Sequence, residues 1–234
     1  MSELLATLNL FFTPGLGAVR VKALLEHFGT AQAVLDAKLS ELRQVRGLEA
    51  SSLAAISAQT TQTRAKTELE RAQKMGLTLI GLSDARYPKS LYAIYDPPPI
   101  LWVRGDLTVV ESLVGVQPRS IGIVGTRKAS TYAKAFTQKL AHDLALVGTT
   151  IISGLARGID TVAHTAAVEA GGSSIAVLGC GVDTIYPAEN KALSERLTVI
   201  SAYCLGTPPN SYNFPPRNRI IAGLSSGKIG RAHV

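Results

Sequence analysis

Residues 120–130 read S-I-G-I-V-G-T-R-K-A-S, an apolar run that ends in a glycine-containing loop. The same order returns at 150–160, T-I-I-S-G-L-A-R-G-I-D, and at 174–183, S-I-A-V-L-G-C-G-V-D. Helical patterns at 133–146 and 160–170 separate the three runs. Strands that alternate with helices across short loops indicate an α/β fold with a doubly wound parallel sheet, and uninterrupted apolar strands are typical of burial on both faces.

Residues 1–76 form a separate region in which apolar residues recur at helical spacing. The sequence P-G-L-G-A-V-R-V-K-A-L-L at 14–25 joins two predicted helices, and a weaker copy, V-R-G-L-E-A-S-S-L, follows at 45–53. Glycine turns between helices are typical of a helix-hairpin-helix motif, whose backbone N–H groups can face a phosphate. A small helical interaction module that never contacts DNA is the alternative.

These patterns predict four segments. Residues 1–76 are the helical domain, 77–118 a connector with short strands at 77–80 and 100–103, and 119–227 the α/β domain. Residues 228–234, K-I-G-R-A-H-V, resemble a translated sequencing adapter. We therefore expect a non-native tail and a chain that stops before its sheet is complete. An incomplete sheet predicts an exposed apolar edge and marginal stability.

The charge balance favours an anionic partner. The chain has 24 Lys and Arg against 17 Asp and Glu, a net charge of +7, without a dense basic run. Any basic surface must therefore be assembled by the fold, and nucleic acid is a suitable ligand. Two cysteines do not make a disulfide framework, and no signal peptide or membrane-spanning stretch is evident, so we expect a cytoplasmic protein with no membrane partner.

Loops that follow parallel strands meet at one edge of the sheet, where ligands bind. In the first loop, Gly125 permits close approach of the backbone, Thr126 can donate a hydrogen bond, and Arg127 can hold a phosphate bidentately. Ser153 and Gly154 close the next strand at the same edge. A tight turn with a surface arginine is the alternative to phosphate binding.

Three further basic residues lie at the starts of later predicted helices. Lys191 starts a helix after the third loop, near the same edge. Arg217 and Arg219 start another helix, where their charge opposes the helix dipole and so indicates an anionic partner. An internal ion pair with Asp160 or Asp183 is the alternative. We expect these scattered cations to form a single cradle for a sugar–phosphate chain.

The sequence shows no convincing catalytic set. It has no Walker loop, no full dinucleotide fingerprint and no nucleophile elbow, so we expect neither an enzyme nor a bound cofactor. A metal site of Asp160 with His164 lacks a third ligand, which favours a packed histidine. Cys180 is interpreted as a small packing residue.

Four motifs occur together in the order and spacing of one family. They are V-G-T-R at 124–127, S-G-L-A-R-G-I-D-T-V-A-H at 153–164, G-C-G-V-D-T-I-Y-P-A-E-N at 179–190 and F-P-P-R-N-R-I-I-A-G-L-S at 214–225. In these motifs the chain resembles the DprA/Smf family (DNA-processing protein A). The resemblance implies an extended Rossmann-like domain preceded by a SAM-like domain that contains the helix-hairpin-helix.

The resemblance also implies a function. Such a protein acts in natural transformation, binds and protects incoming single-stranded DNA, helps to load the RecA recombinase, and forms a homodimer. The matching strand contacts are Gly125, Thr126, Arg127, Lys128, Lys191, Arg217, Asn218 and Arg219, to which our candidate set adds Ser153 and Gly154.

One departure and two rival functions accompany the resemblance. Ser201 is followed by Ala202, where the family usually has glutamate, which puts a local ion-pair network in doubt. The first rival is a nucleotide-binding or nucleotide-cleaving Rossmann-like enzyme. The second is a protein-interaction scaffold that binds no DNA.

Overall fold

The computed structural model describes residues 2–115 and 118–230. The chain divides into two compact units, the first comprising Met1–Tyr87 with Ile94–Leu101 and the second Pro88–Ala93 with Trp102–Val234. The first unit is mainly helical and the second is mixed α/β, so the predicted fold class is confirmed.

The described part of the first unit contains six α-helices. They are α1 (Glu3–Phe12), α2 (Ala18–Phe28), α3 (Ala31–Asp36), α4 (Leu39–Leu42), α5 (Ala50–Ser57) and α6 (Gln62–Lys74). Ser2 begins α1 and Thr30 begins α3, each accepting a backbone N–H of the first turn. After α6, strand β1 (Thr78–Gly81) lies next to the start of β2 (Ile100–Arg104).

Both glycine hairpins predicted in the helical region form. Gly15 has φ +73° and Gly47 has φ +84°, conformations that favour glycine. Arg20 donates from Nη1 to the carbonyl oxygen of Gly15 at 2.6 Å and lies 3.5 Å from the carboxylate of Glu49, which precedes α5. This side chain therefore links the first hairpin to the second. Contact between the hairpins and DNA stays a prediction.

In the second unit, the described strands have the order β2-β6-β5-β4-β3-β7. The strands after β2 are β3 (Ser120–Ile123), β4 (Thr150–Ser153), β5 (Ser174–Leu178), β6 (Thr198–Ser201) and β7 (Gly227–Ile229). Neighbouring strands run parallel, except that β2 pairs antiparallel with β6. Strands β4, β5 and β6 are buried along their whole length, as their continuous apolar runs predict.

The described part of the second unit contains six α-helices. They are α7 (Lys89–Tyr92), α8 (Leu107–Glu111), α9 (Thr131–Leu146), α10 (Ile159–Glu169), α11 (Lys191–Ser194) and α12 (Phe214–Leu224), with 3₁₀ turns at Ala188–Asn190 and Ser211–Asn213. Small residues such as Ala141 and Ala163 let α9 and α10 pack closely against Ile123 and Ile151. Over the described range, no helix has both the length and the apolar character needed to cross a membrane.

Strand β7 lies at the outer edge of the sheet, where Lys228 pairs with Gly122 and Ile229 with Ile123. Both residues belong to the segment predicted to be a non-native tail, yet their backbone pairs with β3. An open strand edge presents N–H and C=O groups with which an extended segment can pair. Ile229 is 39% exposed, so an apolar residue does lie at this edge. Residues 231–234 of that tail lie outside the described residues.

Candidate nucleic-acid interface

The loops after β3 and β4 pack against each other at the carboxyl end of the sheet. A Cβ atom on Gly125 would lie 2.7 Å from the side chain of Ile159, the first residue of α10. The backbone N–H of Ile159 donates to the carbonyl oxygen of Thr126 at 3.3 Å. Gly158 has φ +81°, and its backbone lies directly against the same carbonyl oxygen. These glycines therefore allow the neighbouring loop to approach.

Asp160 anchors both loops from the first turn of α10. Its side chain is buried and accepts the backbone N–H groups of Gly125 at 3.3 Å, Gly154 at 3.0 Å and Ala156 at 3.4 Å. Burial raises the pKa of Asp160, whereas the charge of Arg217 and the three backbone donors lower it. One carboxylate thus satisfies donors from two loops.

Arg217, a predicted DNA contact, is only 5% exposed. Its Nη1 donates to the carbonyl oxygen of Gly154 at 2.9 Å and to that of Val177, and its Nε donates to Asn218 at 3.2 Å. Burial lowers the pKa of Arg217, and the charge of Asp160 raises it. The hydrogen bonds of Arg217 therefore go to carbonyl oxygens and to Asn218, and Asp160 acts on it through its charge.

Ser153 and Gly154 also face the interior. Ser153 is fully buried and donates from Oγ to the carbonyl oxygen of Ile123 at 2.5 Å, which links β4 to β3. Gly154 has no room for a side chain, because a Cβ atom there would lie 2.5 Å from Nη2 of Arg217. In this structure both residues hold the loops in place beneath the surface.

The exposed part of the site follows β3. Thr126, Arg127 and Lys128 are all exposed, and the N–H of Lys128 donates to Oγ1 of Thr126 at 3.2 Å. The guanidinium carbon of Arg127 lies 5.6 Å from the ring centroid of Phe214, within cation–π range. Arg127 therefore presents its charge to solvent beside an aromatic ring.

An open crevice of about 560 Å³ lies between these loops and α12. Its lining includes Thr126, Arg127, Asp160, Arg217, Asn218 and Lys228. A narrower pocket beside it shares Arg127, Arg217 and Phe214 and adds Arg157 and Tyr186. The rings of Tyr186 and Phe214 have centroids 5.9 Å apart at 33°. The site thus combines exposed cations with aromatic faces.

Two predicted cations lie elsewhere. Lys191 is the first residue of α11 and is exposed, and Arg219 is partly exposed in α12. Burial raises the pKa of Tyr203, and the charge of Arg219 lowers it. Neither side chain lines the crevice or the narrower pocket. The structure brings Arg127 and Arg217 together, but it does not gather all the predicted cations into one cradle.

Arg157, which lies in the loop after β4, was not among the predicted site residues. Its Nε and Nη2 donate to the two carboxylate oxygens of Glu189 at 2.8 and 2.7 Å. This pairing raises the pKa of Arg157 and lowers that of Glu189. A cation between the glycines of S-G-L-A-R-G, at the same sheet edge as Arg127, was the available signal.

His164 and Cys180 are buried in the interior of the second unit. His164 is fully buried with Nδ1 2.7 Å from Oγ of Ser174, and burial lowers its pKa to about 3. Burial raises the pKa of the Cys180 thiol to about 11, which disfavours the nucleophilic thiolate. Within residues 2–115 and 118–230, no group of three or more metal-ligating side chains occurs.

The model of one protein family, DNA recombination-mediator protein A, matches residues 78–229. The chain belongs to this family. Protein Smf from Synechocystis is 38% identical over 215 residues, which cover 90% of this chain and 54% of that protein. DNA processing protein DprA from Bacillus subtilis is 39% identical over 161 residues, which cover 67% of this chain and 52% of that protein. The chain spans about half the length of these relatives.

Solved structures of family members share the fold. The X-ray structure of DNA processing protein A from Streptococcus pneumoniae superposes with a TM-score of 0.81 at 29% identity, covering 98% of this chain and 77% of that one. The protein from Helicobacter pylori, described for its single-stranded DNA binding mode, gives a TM-score of 0.57 at 30% identity over 66% of this chain and 68% of that one.

Proposed function

We propose that this member of the DNA recombination-mediator protein A family binds single-stranded DNA in the crevice beside α12. The observation that carries the proposal is the position of Arg127. Its guanidinium is exposed, follows the hydroxyl of Thr126 in the chain, and lies 5.6 Å from the ring centroid of Phe214.

The crevice suits a sugar–phosphate chain with unpaired bases. Arg127 and Thr126 supply a cation and a hydroxyl for a phosphate, which requires no base readout. The rings of Tyr186 and Phe214 offer faces on which bases of any sequence can stack. Duplex bases are already stacked on one another, so we expect a preference for single strands. The single-stranded DNA binding described for the Helicobacter pylori relative supports the same ligand class.

Fluorescence anisotropy with oligo-dT and a duplex of equal length tests the proposal. Arg127→Ala should weaken oligo-dT binding about tenfold, or about 1.4 kcal/mol. It should also reduce the slope of log affinity against log salt by about 0.7, the loss of one phosphate contact. Arg196→Ala is the matched control, because Arg196 is exposed but lies outside the crevice lining. Equal binding by Arg127→Ala and wild type would overturn the assignment.

The rival enzymatic function has its own readout. Incubating the protein with nucleoside monophosphates and looking for released base distinguishes nucleotide cleavage from DNA binding. We expect no release of base. Release that is lost in Arg127→Ala would instead support nucleotide cleavage at this site.

The DprA/Smf resemblance supports two further parts of the proposal, formation of a homodimer and assistance in loading RecA. Light scattering after size exclusion measures the mass of the particle and should give twice that of the chain. RecA assembly on oligo-dT should accelerate in the presence of the protein. The Arg127→Ala variant should lose this acceleration.

A further inference from the structure

Arg157 and Glu189 form an ion pair at the rim of the site. Arg157 belongs to the loop after β4, and Glu189 to the 3₁₀ turn at Ala188–Asn190. Two parallel hydrogen bonds of 2.8 and 2.7 Å join the guanidinium fork to both carboxylate oxygens. The side chain of Arg157 is 62% exposed and that of Glu189 is 54% exposed, so the pair is solvent-accessible and is not part of the core.

The pair lies where a bound strand would pass. Arg157 lines the narrow pocket together with Arg127, Tyr186 and Phe214. Phe214 connects the set, because its ring centroid lies 5.6 Å from the guanidinium carbon of Arg127 and 5.9 Å from the ring centroid of Tyr186. Arg157 therefore faces the same space as the cation on which the DNA assignment depends.

We propose that Arg157 is a second phosphate-binding residue of this crevice and that Glu189 occupies it until a strand binds. This inference rests on the proposed function. A carboxylate and a phosphate both present two oxygens to the planar guanidinium fork, so one can replace the other without loss of hydrogen bonds. Glu189 thereby acts as a competitor for DNA that is built into the protein.

The exposure of the pair makes the exchange feasible. A solvent-exposed ion pair contributes little net free energy, so an incoming phosphate displaces the carboxylate at small cost. Displacement leaves Glu189 unpaired close to a polyanion, which repels it. The pair therefore lowers the affinity of the free crevice for DNA.

The substitution Glu189→Gln tests the exchange, because glutamine removes the competing charge and keeps the size of the side chain. Affinity for oligo-dT should rise about two- to fivefold, the range expected for an exposed ion pair. The slope of log affinity against log salt should become steeper by up to about 0.7, since Arg157 then meets the phosphate without first leaving a carboxylate. Melting temperature should stay near that of wild type.

A double-mutant cycle separates exchange from a simple change of net charge. In an Arg157→Gln background, Glu189→Gln should raise affinity by a smaller factor, because only the repulsion between Glu189 and DNA is then removed. An equal rise in both backgrounds would overturn the inference, because it would show a general field effect. Glu169→Gln makes the same charge change at the exposed far end of α10 and should leave affinity unchanged.

Two failures are distinguishable. If wild type does not bind oligo-dT, the proposed function itself fails. If Arg127→Ala binds more weakly than wild type, while Arg157→Gln and Glu189→Gln match wild type, only the role of Arg157 is overturned. Arg157→Lys keeps the charge without the fork, and we expect an affinity between those of wild type and Arg157→Gln.

Discussion

The backbone of Gly158 lies directly against the carbonyl oxygen of Thr126, with no room for a Cβ atom between them. Gly158 also has φ +81°, which side chains rarely adopt. This contact fixes the loop that carries Arg127 against the start of α10. The position of Arg127 therefore depends on Gly158, a residue without a side chain.

Gly158→Ala should therefore affect both stability and binding. We expect the free energy of unfolding to fall by about 1–3 kcal/mol from backbone strain, and oligo-dT affinity to fall because the Thr126 peptide must move. Gly171→Ala is the control, since Gly171 has φ +73° but open space around it. The free energy of unfolding of Gly171→Ala should fall by about 1 kcal/mol, and its affinity for oligo-dT should match that of wild type. Urea unfolding and anisotropy measure the two effects, and equal binding by the two variants would contradict the role of the contact.

Asp160 and Arg217 are buried ionisable residues of opposite sign, and the charge of each favours the ionised form of the other. Asp160→Asn leaves the guanidinium without its counter-charge, and Arg217→Met leaves the carboxylate without its own. Each substitution should cost about 3 kcal/mol or more. The double variant should cost clearly less than the sum, as measured by urea unfolding. Strict additivity would show that the two groups do not interact.

His164 is held neutral by its surroundings. Oγ of Ser174 donates to the carbonyl oxygen of Ile151 at 2.9 Å, so it accepts from Nδ1–H of His164 at 2.7 Å. Nε2 is buried and has no hydrogen-bond partner among the described residues. Protonation there would bury an unpaired charge, which is why the pKa falls from 6.5 to about 3.

This depressed pKa predicts acid sensitivity. Above pH 6.5 His164 is neutral in both states, whereas between pH 6.5 and about 3 only the unfolded state takes up the proton. Its contribution to the free energy of unfolding should then fall by about 1.4 kcal/mol per pH unit. Urea unfolding across this range should show a shallower loss for His164→Gln than for wild type. Equal losses for wild type and His164→Gln would contradict this role of His164.

Gly15 offers a test in the first unit. It has φ +73°, and a Cβ atom there would lie 2.7 Å from Oγ of Ser52, which donates to the Pro14 carbonyl at 2.9 Å. Gly15→Ala should therefore destabilise the hairpin by more than the roughly 1 kcal/mol of strain alone. Gly29→Ala is the control, because Gly29 also has a positive φ but has open space where a Cβ atom would lie. This variant measures the effect of backbone strain alone. Thermal unfolding of the two variants gives the difference, and equal midpoints would exclude a steric effect.

The fold was predictable where the signal is local. Apolar runs that end in glycine, such as the one closing at Gly125, locate the strands and order the parallel sheet, because each run must be buried and each turn needs backbone freedom. The exposed cation Arg127 could be predicted for the same reason, since it follows a strand directly.

Contacts between distant segments were not predictable. Arg217 starts a helix in the sequence, and only the fold shows that Gly154 leaves space for its guanidinium to reach two carbonyl oxygens. Lys191 starts a helix at the correct edge, but nothing local determines whether its side chain reaches the crevice. Lys228 was predicted to belong to a non-native tail, although its backbone pairs with Gly122 in β3 through a contact between segments more than 100 residues apart.

Two loops share the carboxylate of Asp160, and this has a consequence for how they fluctuate. The amide hydrogens of Gly125, Gly154 and Ala156 are all held by the same side chain. A movement of Asp160 away from the sheet edge would break its hydrogen bonds to both loops at once. Opening should therefore be an all-or-none event, and these amides should exchange with solvent at a common rate set by a single cooperative motion.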